Sequence, residues 1–344
     1  AYHLAKGGET DVVLVEKHDL TSGSTCQAAG MVTQFHTNLT MMLMRQYSVE
    51  LYKGFYAADG EKSGWNHTGS IRIASSPDQL MSLKQAVSKA RGIGLDIELL
   101  SPEETQKIYP EISLDEVAGS IHLPMDGWVD PHTVTTYMAK KAREMGVMFY
   151  TNTLVQDIEL TDLGAIQTVV TSKGRIECEI LVNAAGMWAG RVAEMAGSFL
   201  PIVPVQHQHM TTIAMDDRKF SPNTPVLRDP DNLTYIREEV GGVLIGGFEL
   251  NPETWHEEGV PWAHNAEPIS SRWDLYSPIL EGAMKRVPIL QQADAQELVN
   301  HPDGFTPDAI PCVGPCPDVP GLWAAAGMSI NGFATGGGMG RELA

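Results

Sequence analysis

With 344 residues, 43% of them apolar, the chain is long enough to bury a large core and to form two domains or one large one. Forty-three acidic side chains against 24 basic ones give a net charge of −19, which argues against nucleic acid and anionic membrane surfaces as partners, and no apolar run approaches the ~20 residues of a bilayer span. Four cysteines are too few for a disulfide scaffold, so a reducing compartment is the simplest reading.

In chain order, Tyr2 to Lys6 reads as a helix closed by Gly7-Gly8, and Val12 to Val15 as a buried parallel strand ending in the acid Glu16. In a dinucleotide-binding βαβ unit, an acid at that place accepts hydrogen bonds from the ribose hydroxyls of the adenosine half. The chain opens already inside this pattern and closes inside another helical one, at Arg341-Glu342-Leu343-Ala344. The expectation is therefore an internal fragment, with the first strand and any G-x-G-x-x-G turn upstream of Ala1. The next segment, Thr21-Ser22-Gly23-Ser24-Thr25 and Ala28-Ala29-Gly30, is made of small residues whose backbone amides and hydroxyls can approach a flat ring or a pyrophosphate closely.

A helix over Leu39 to Ala58 follows, then an alternating strand over Gly69 to Ser75 and an amphipathic helix over Pro77 to Gly92. Asp96 to Leu100 reads as a strand, Ser101-Pro102-Glu103-Glu104 as the capped start of a helix, and Val117 to Leu123 as another strand. Residues 125–134 turn the chain into a helix, Pro131 to Met145, ended by Gly146. From Val147 the pattern is a strand, a hairpin at Lys173-Gly174, and an apolar strand, Ile180 to Val182. This last strand runs into the nearly side-chain-free Asn183-Ala184-Ala185-Gly186, a second nucleotide-facing edge or a tight packing turn. Ile202 to Phe248 holds several β-rich segments divided by turns, an antiparallel sheet inserted as a second domain. Trp273 to Arg286 reads as a helix and residues 301–315 as an extended Pro-rich loop. Leu322 to Ala326 is a strand leading to Gly327, Gly332, Gly336, Gly337, Gly338 and Gly340, expected to precede or open a helix whose N–H groups face an anionic ring. The spacings Cys312-x-x-x-Cys316 and His207-x-His209 raise a metal site. With no second cysteine pair they are read as buried or incidental groups, and no metal is expected.

Taken together, VVLVEK, SGSTCQAAG, LVNAAGMWAG, TPDAIPCVGP and GLWAAAGMSINGFATGGGMGRELA resemble the FAD-dependent amino-acid and amine oxidase family that includes D-amino-acid oxidase, and most of all its dimethylglycine and sarcosine dehydrogenase branch. The resemblance spans the whole chain. It implies an α/β (α+β) fold in which a Rossmann-like FAD-binding domain, made discontinuously from 1–60, 125–200 and 305–344, is interleaved with an antiparallel β-sheet substrate domain from 61–124 and 201–304. The isoalloxazine would lie between the two.

Carried over by residue, the resemblance gives Glu16 and Lys17 the adenosine ribose region. Gly23, Ser24, Thr25, Cys26, Gln27, Ala28, Ala29, Gly30 and Met31 would line the pyrophosphate and flavin, Val155 would meet adenine through its backbone, and Gly186 and Trp188 would lie along the cofactor. Gly327, Met328, Ser329, Ile330, Asn331 and Gly332 would contact the pyrimidine side of the ring. On the substrate side, His207-Gln208-His209 and Tyr235-Ile236-Arg237 match the branch. His207 would take up or relay the amine proton, and Tyr235 would bond the substrate carboxylate or position the amine. The departure is at Cys26-Gln27, where members with covalent FAD carry Trp-His. Gln27 cannot form the link, and Cys26 points the other way if the segment is extended. FAD without a covalent bond is expected, with a cysteinyl flavin through Cys26 as the alternative.

The resemblance implies oxidative demethylation of a small N-methylated amino acid, with hydride transfer to flavin N5 and an imine that hydrolyses to formaldehyde. The electron acceptor stays open, and a folate-binding domain would lie beyond Ala344. The setting would be cytoplasmic, or the mitochondrial matrix in a eukaryote. Two alternatives stand beside it: a non-catalytic regulatory relative, as the regulatory subunit of pyruvate dehydrogenase phosphatase is, and an oxidase of another secondary amine or a D-amino acid.

Overall fold

Strands of two kinds divide this chain, shown here by a computed structural model that describes residues 1–215, 220–265 and 267–344. Eight of them form one sheet, in the order Ala295–Phe305, Val203–Thr212, Gly242–Gly247, Thr234–Glu239, Val226–Asp229, Ser70–Ala74, Gly119–Leu123 and Glu98–Leu100. All neighbours are antiparallel except Val226–Asp229 against Ser70–Ala74. Alternate residues leave opposite faces of a strand, so the register sorts the side chains. Ile71, Ile73, Leu227, Ile236, Val243, Ile245 and Met210 share one face and bury against Tyr276, Ile279 and Ala283 of the helix Trp273–Arg286. Arg72, Arg228, Tyr235, Arg237, His207 and His209 share the other.

The expected alternation in 69–75 is absent from burial. Four of the five residues of Ser70–Ala74 are buried, because the second face is also covered, in part by Phe35, Met42 and the helix Pro77–Gly92. That helix and the one at Pro102–Ile108 begin as read: Ser76 and Ser101 cap them, and Glu104 closes a reciprocal capping box with Ser101.

The other strands are short and partly parallel. Val13–Val15 pairs in parallel with Met148–Tyr150, and Leu181–Asn183 in parallel with Leu322–Ala326. These are the strands whose carboxyl ends carry Glu16 and Asn183. A three-stranded meander, Val155–Leu160, Ile166–Thr171 and Gly174–Glu177, lies between them in sequence, turning at Lys173-Gly174 as expected.

Three readings are corrected. Residues 301–315 are not a loop, for 301–305 end the strand Ala295–Phe305 and Cys312–Pro315 pairs with Leu322–Ala326. Pro302 is tolerated because its strand is at the sheet's edge, where one side needs no N–H donor. Within 125–134, Gly127–Val129 is a strand between Met31–Val32 and Trp65–His67. The last helix, Gly332–Leu343, starts at Gly332, so Gly336, Gly337, Gly338 and Gly340 lie inside it. Their absent side chains serve packing on the helix Leu39–Asp59: a Cβ on Gly338 would sit 2.4 Å from the Met44 backbone, and one on Gly337 3.0 Å from Ser48. No helix among the described residues is long and apolar enough to cross a membrane.

Candidate functional site

Glu16 ends its strand half-buried, and its Oε1 accepts from the His18 N–H at 2.8 Å. The Glu16 carbonyl accepts from Thr153 N–H at 2.8 Å, which brings in Val155 at the head of the meander. Lys17 is turned differently from the expected ribose contact. Its Nζ donates to the Trp262 and His264 carbonyls at 3.1 and 2.5 Å and lies 3.8 Å from the centre of the Trp188 ring, and burial pushes its pKa down to about 8. Trp188, buried, donates Nε1–H to the Pro261 carbonyl at 3.2 Å and approaches within 3.5 Å of where a Cβ on Gly23 would stand. Lys17 and Trp188 thus hold 261–264 against the small-residue loop. Gly186 has φ +56°, and a Cβ there would meet nothing within 4 Å.

Residues 21–30 form a tight turn around a 3₁₀ segment, Gly23–Thr25, with Thr21, Gly23 and Gly30 at positive φ. Gly30 admits no side chain, because a Cβ would stand 2.1 Å from the Val129 carbonyl oxygen. Ser24 Oγ donates to the Pro302 carbonyl at 3.2 Å, and the Ala29 carbonyl accepts from Arg237 Nε at 2.7 Å; both bonds tie the loop to the eight-stranded sheet. Ala28 N–H closes the turn on Thr25, while Met31 starts the strand beside Trp128. Cys26 and Gln27 lie in this turn, so the argument from extended alternation does not hold. Cys26 is exposed, and its Sγ donates to the Gly23 carbonyl at 3.2 Å.

Opposite stands the loop 327–332. Gly327 has φ +73°, and a Cβ there would lie 2.5 Å from Thr306. Ser329 and Ile330 follow at φ +46° and +62°, a conformation that costs non-glycine residues about 1–3 kcal/mol each. What holds them is side-chain chemistry that the sequence did not reveal. Ile330 N–H donates to half-buried Asp303 Oδ2 at 2.7 Å, Ser329 N–H to the Gly304 carbonyl at 3.0 Å, and Thr306 N–H to Ser329 Oγ at 3.2 Å. Burial raises the Asp303 carboxyl pKa. Asn331 closes a turn on the Met328 carbonyl, and its Oδ1 accepts from Arg45, which also donates to the Phe35 carbonyl at 2.9 Å. Gly332 begins the helix.

On the sheet, His207 and Tyr235 do come together. Their Nε2 and hydroxyl are 3.2 Å apart, and both residues are buried. Gly246 makes this contact sterically open. It pairs with Tyr235 across the strands, and a Cβ on it would lie 2.2 Å from the tyrosine's Cζ and hydroxyl. Glu249, also absent from the sequence reading, completes the chain: its Oε2 is 3.2 Å from His207 Nδ1, and its Oε1 accepts from Gln208 N–H at 2.9 Å. Burial, reinforced by the Glu249 charge, raises the Tyr235 pKa far above the ordinary phenol value. Beside His207, burial pushes His209 down to about 3 and His301 well below the usual histidine range, so both are neutral. Each keeps a buried Nδ1 without a partner among the described residues.

These features suit a flavin dinucleotide: an acid at a parallel strand's end, a turn of mostly small residues with positive-φ backbone, and a second left-handed turn tied to the same edge strand. The sequence profile of the FAD dependent oxidoreductase family matches residues 1–344. Mitochondrial dimethylglycine dehydrogenase of Rattus norvegicus is 34% identical over 349 residues, covering 100% of this chain and 40% of that protein. The mitochondrial pyruvate dehydrogenase phosphatase regulatory subunit of Mus musculus is 34% identical over 346 residues, covering 100% and 39%. The chain thus spans about 40% of the length of these relatives. Among solved structures, L-proline dehydrogenase from P. horikoshii superposes with a TM-score of 0.87 at 26% identity, covering 99% of this chain and 87% of that one.

Proposed function

This chain belongs to the FAD-dependent oxidoreductase family, and from that premise we propose that it oxidises the C–N bond of a small N-methylated amino acid of the dimethylglycine or sarcosine kind. The observation that carries the reading is the buried Glu249–His207–Tyr235 chain on one face of the sheet. Bound FAD supplies the acceptor for the electrons that leave the substrate. The share of the protein is protons and position. Only a neutral amine has the lone pair that supports loss of hydride from carbon, so an ammonium proton must leave first. Glu249, bonded at Nδ1, fixes the imidazole tautomer that leaves the Nε2 lone pair toward Tyr235. His207 takes the proton there, directly or through the phenol, and Tyr235, kept protonated by burial, orients the nitrogen. His209 and His301 stay neutral nearby and place no competing cation beside the acceptor.

On the cofactor side, Glu16 would hold the ribose, residues 23–31 would follow the pyrophosphate and flavin, and 327–332 would meet the pyrimidine edge. Gln27 cannot form the covalent link to the flavin, so FAD would be held without one, with a cysteinyl link through exposed Cys26 as the alternative. The mitochondrial address of the rat relative supports a matrix setting in a eukaryote.

Anaerobic mixing with dimethylglycine or sarcosine tests the reading in the full-length, flavin-loaded protein. The flavin should bleach, at a rate that rises with pH as the substrate amine loses its proton. The regulatory subunit among the relatives favours a second reading, a non-catalytic partner protein on the same fold. If no small N-methyl amine bleaches the flavin at any pH, the demethylase reading fails and that second one takes its place.

A further inference from the structure

Between the strand Gly242–Gly247 and the helix Trp273–Arg286 the chain runs through residues 248–272, and none of the described ones belongs to a helix or a strand. Single bridges of Thr254 to Val205 and of Ile269 to Asn300 pin the two ends of this strap to the sheet. Connections longer than ~12–15 residues without structure of their own are uncommon in a compact domain, and most of them are functional. This one leaves the sheet at Phe248 and Glu249, beside His207, and its middle reaches the ends of the short parallel strands on the cofactor side.

There the strap is held by its own backbone. Arg191 Nη1 donates to the Val260 carbonyl at 2.7 Å, Trp188 Nε1 to Pro261 at 3.2 Å, and Lys17 Nζ to Trp262 and His264 at 3.1 and 2.5 Å. Val260 is buried with Met187 and Trp188, and the Arg191 guanidinium lies 4.2 Å from the centre of the Trp262 ring. Toward the sheet the strap is fixed again, where Gln206 N–H donates to the Glu253 carbonyl at 2.8 Å and Trp255 N–H to the Pro204 carbonyl at 2.9 Å. Between these two points His256, Glu257 and Glu258 form an exposed turn, closed by Gly259 N–H on the His256 carbonyl at 2.9 Å. A segment with one hinge, one latch and little buried surface between them can open without unfolding the sheet.

The latch stands on the cofactor's track. Lys17 follows Glu16, proposed at the ribose, and the Trp188 ring lies 3.5 Å from where a Cβ on Gly23 would stand, in the turn proposed to follow the pyrophosphate. We infer that residues 256–264 are a clasp over the ADP half of FAD, latched by Lys17, Trp188 and Arg191, which must open for the dinucleotide to enter or leave. Gln27 provides no covalent tether, so retention falls to enclosure of this kind. The inference rests on the proposed placement of Glu16 and residues 23–31, and it is independent of the substrate. Occupancy and closure are linked: where latching strengthens FAD binding, bound FAD strengthens the latch by the same factor.

Two readouts test this in the full-length flavoprotein carrying Cys26→Ser, which removes the alternative covalent link. The first is release of FAD after a large dilution, followed by the fluorescence of the freed flavin. Arg191→Met, which keeps the length of the side chain but loses the bond to Val260, should speed release by about 10-fold, the range for one lost charge-assisted hydrogen bond, and Arg191→Lys should do so by less. Trp262→Ala, on the clasp itself, should act in the same direction. The second readout is cleavage after Glu257 or Glu258 by a glutamate-specific protease, with the cut identified by fragment mass. FAD should slow that cut by about 10-fold or more in the parent and by less in Arg191→Met, while cuts elsewhere keep their rates. Release at the parent's rate in both Arg191→Met and Trp262→Ala, or cleavage at one rate with and without FAD, overturns the inference whether or not any N-methyl amine bleaches the flavin.

Discussion

The loop around Gly23 to Met31 and the polar face of the eight-stranded sheet work with opposite materials. The loop acts through backbone, and side chains are excluded where they would intrude, as at Gly30, where a Cβ would lie 2.1 Å from the Val129 oxygen. The sheet acts through side chains brought from distant strands: His207 meets Tyr235 across 28 residues of sequence and Glu249 across 42. A loop of the first kind is written in one contiguous stretch. A hydrogen-bonded chain of the second exists only once the register is set, since a slip of one residue would turn His207 and Tyr235 to the opposite face.

One position breaks this contrast and should show the largest effect. Gly246 is the sheet's counterpart of Gly30, a place where a missing side chain lets another ring cross. In Gly246→Ala, the new methyl must displace the Tyr235 ring, which would otherwise lie 2.2 Å away. Anaerobic flavin reduction by dimethylglycine should slow by ~10²-fold or more, as for a reacting group moved by an ångström, and stability should fall by about 1–3 kcal/mol. Reduction at the wild-type rate would mean that Tyr235 does not need its place beside His207.

A smaller effect should come from Glu249→Gln, which keeps size and one acceptor oxygen but removes the charge from His207 Nδ1. The glutamine can present its N–H to the imidazole and select the wrong tautomer, so reduction should slow by about 10- to 100-fold with the flavin spectrum intact. Rates within twofold of the wild type in stopped-flow measurements would remove Glu249 from the proton path and leave it as a tie to the Gln208 backbone.

The same contrast explains what the sequence disclosed. Glu16 and residues 21–30 were legible because strand, acid and small-residue turn follow one another. The helices at Pro77 and Pro102 were legible because their caps are local. His207 and Tyr235 came from resemblance, whereas Glu249 and Gly246 need strand register, which no single segment carries. Gly337 and Gly338 were misread as a ligand-facing helix start because their partners, Ser48 and Met44, lie some 290 residues earlier. Pro302 looked like a strand breaker because edge position is a property of the whole sheet. Cys26 was judged by the period of a strand although its neighbours curl into a 3₁₀ turn.

Where the two regions meet, Asp126 joins them, and it should give the smallest effect. Its Oδ1 accepts from Gln34 N–H and Nε2 at 3.0 and 2.9 Å, just beyond the loop, and its Oδ2 from Ser70 Oγ at 2.5 Å on the sheet. Three donors favour the carboxylate, but complete burial outweighs them and raises the pKa from 3.8 to about 6. A raised carboxyl pKa stabilises the folded state in its protonated form. The contribution is therefore fully present below pH ~4, the unfolded value, and is lost as pH rises through about 6. Asp126→Asn fixes the neutral form and can keep the network, its oxygen accepting from Gln34 and its amide donating to Ser70. Relative to this variant, the wild type should lose about 2 kcal/mol of unfolding free energy between pH 4 and pH 6.5, measured by denaturant titration at a series of pH values. Flavin reduction should change little, because Asp126 joins the regions without entering either one's chemistry. Parallel stability curves for the two proteins would show that the hydrogen bonds keep Asp126 ionised throughout that range, and that the joint is a charged one.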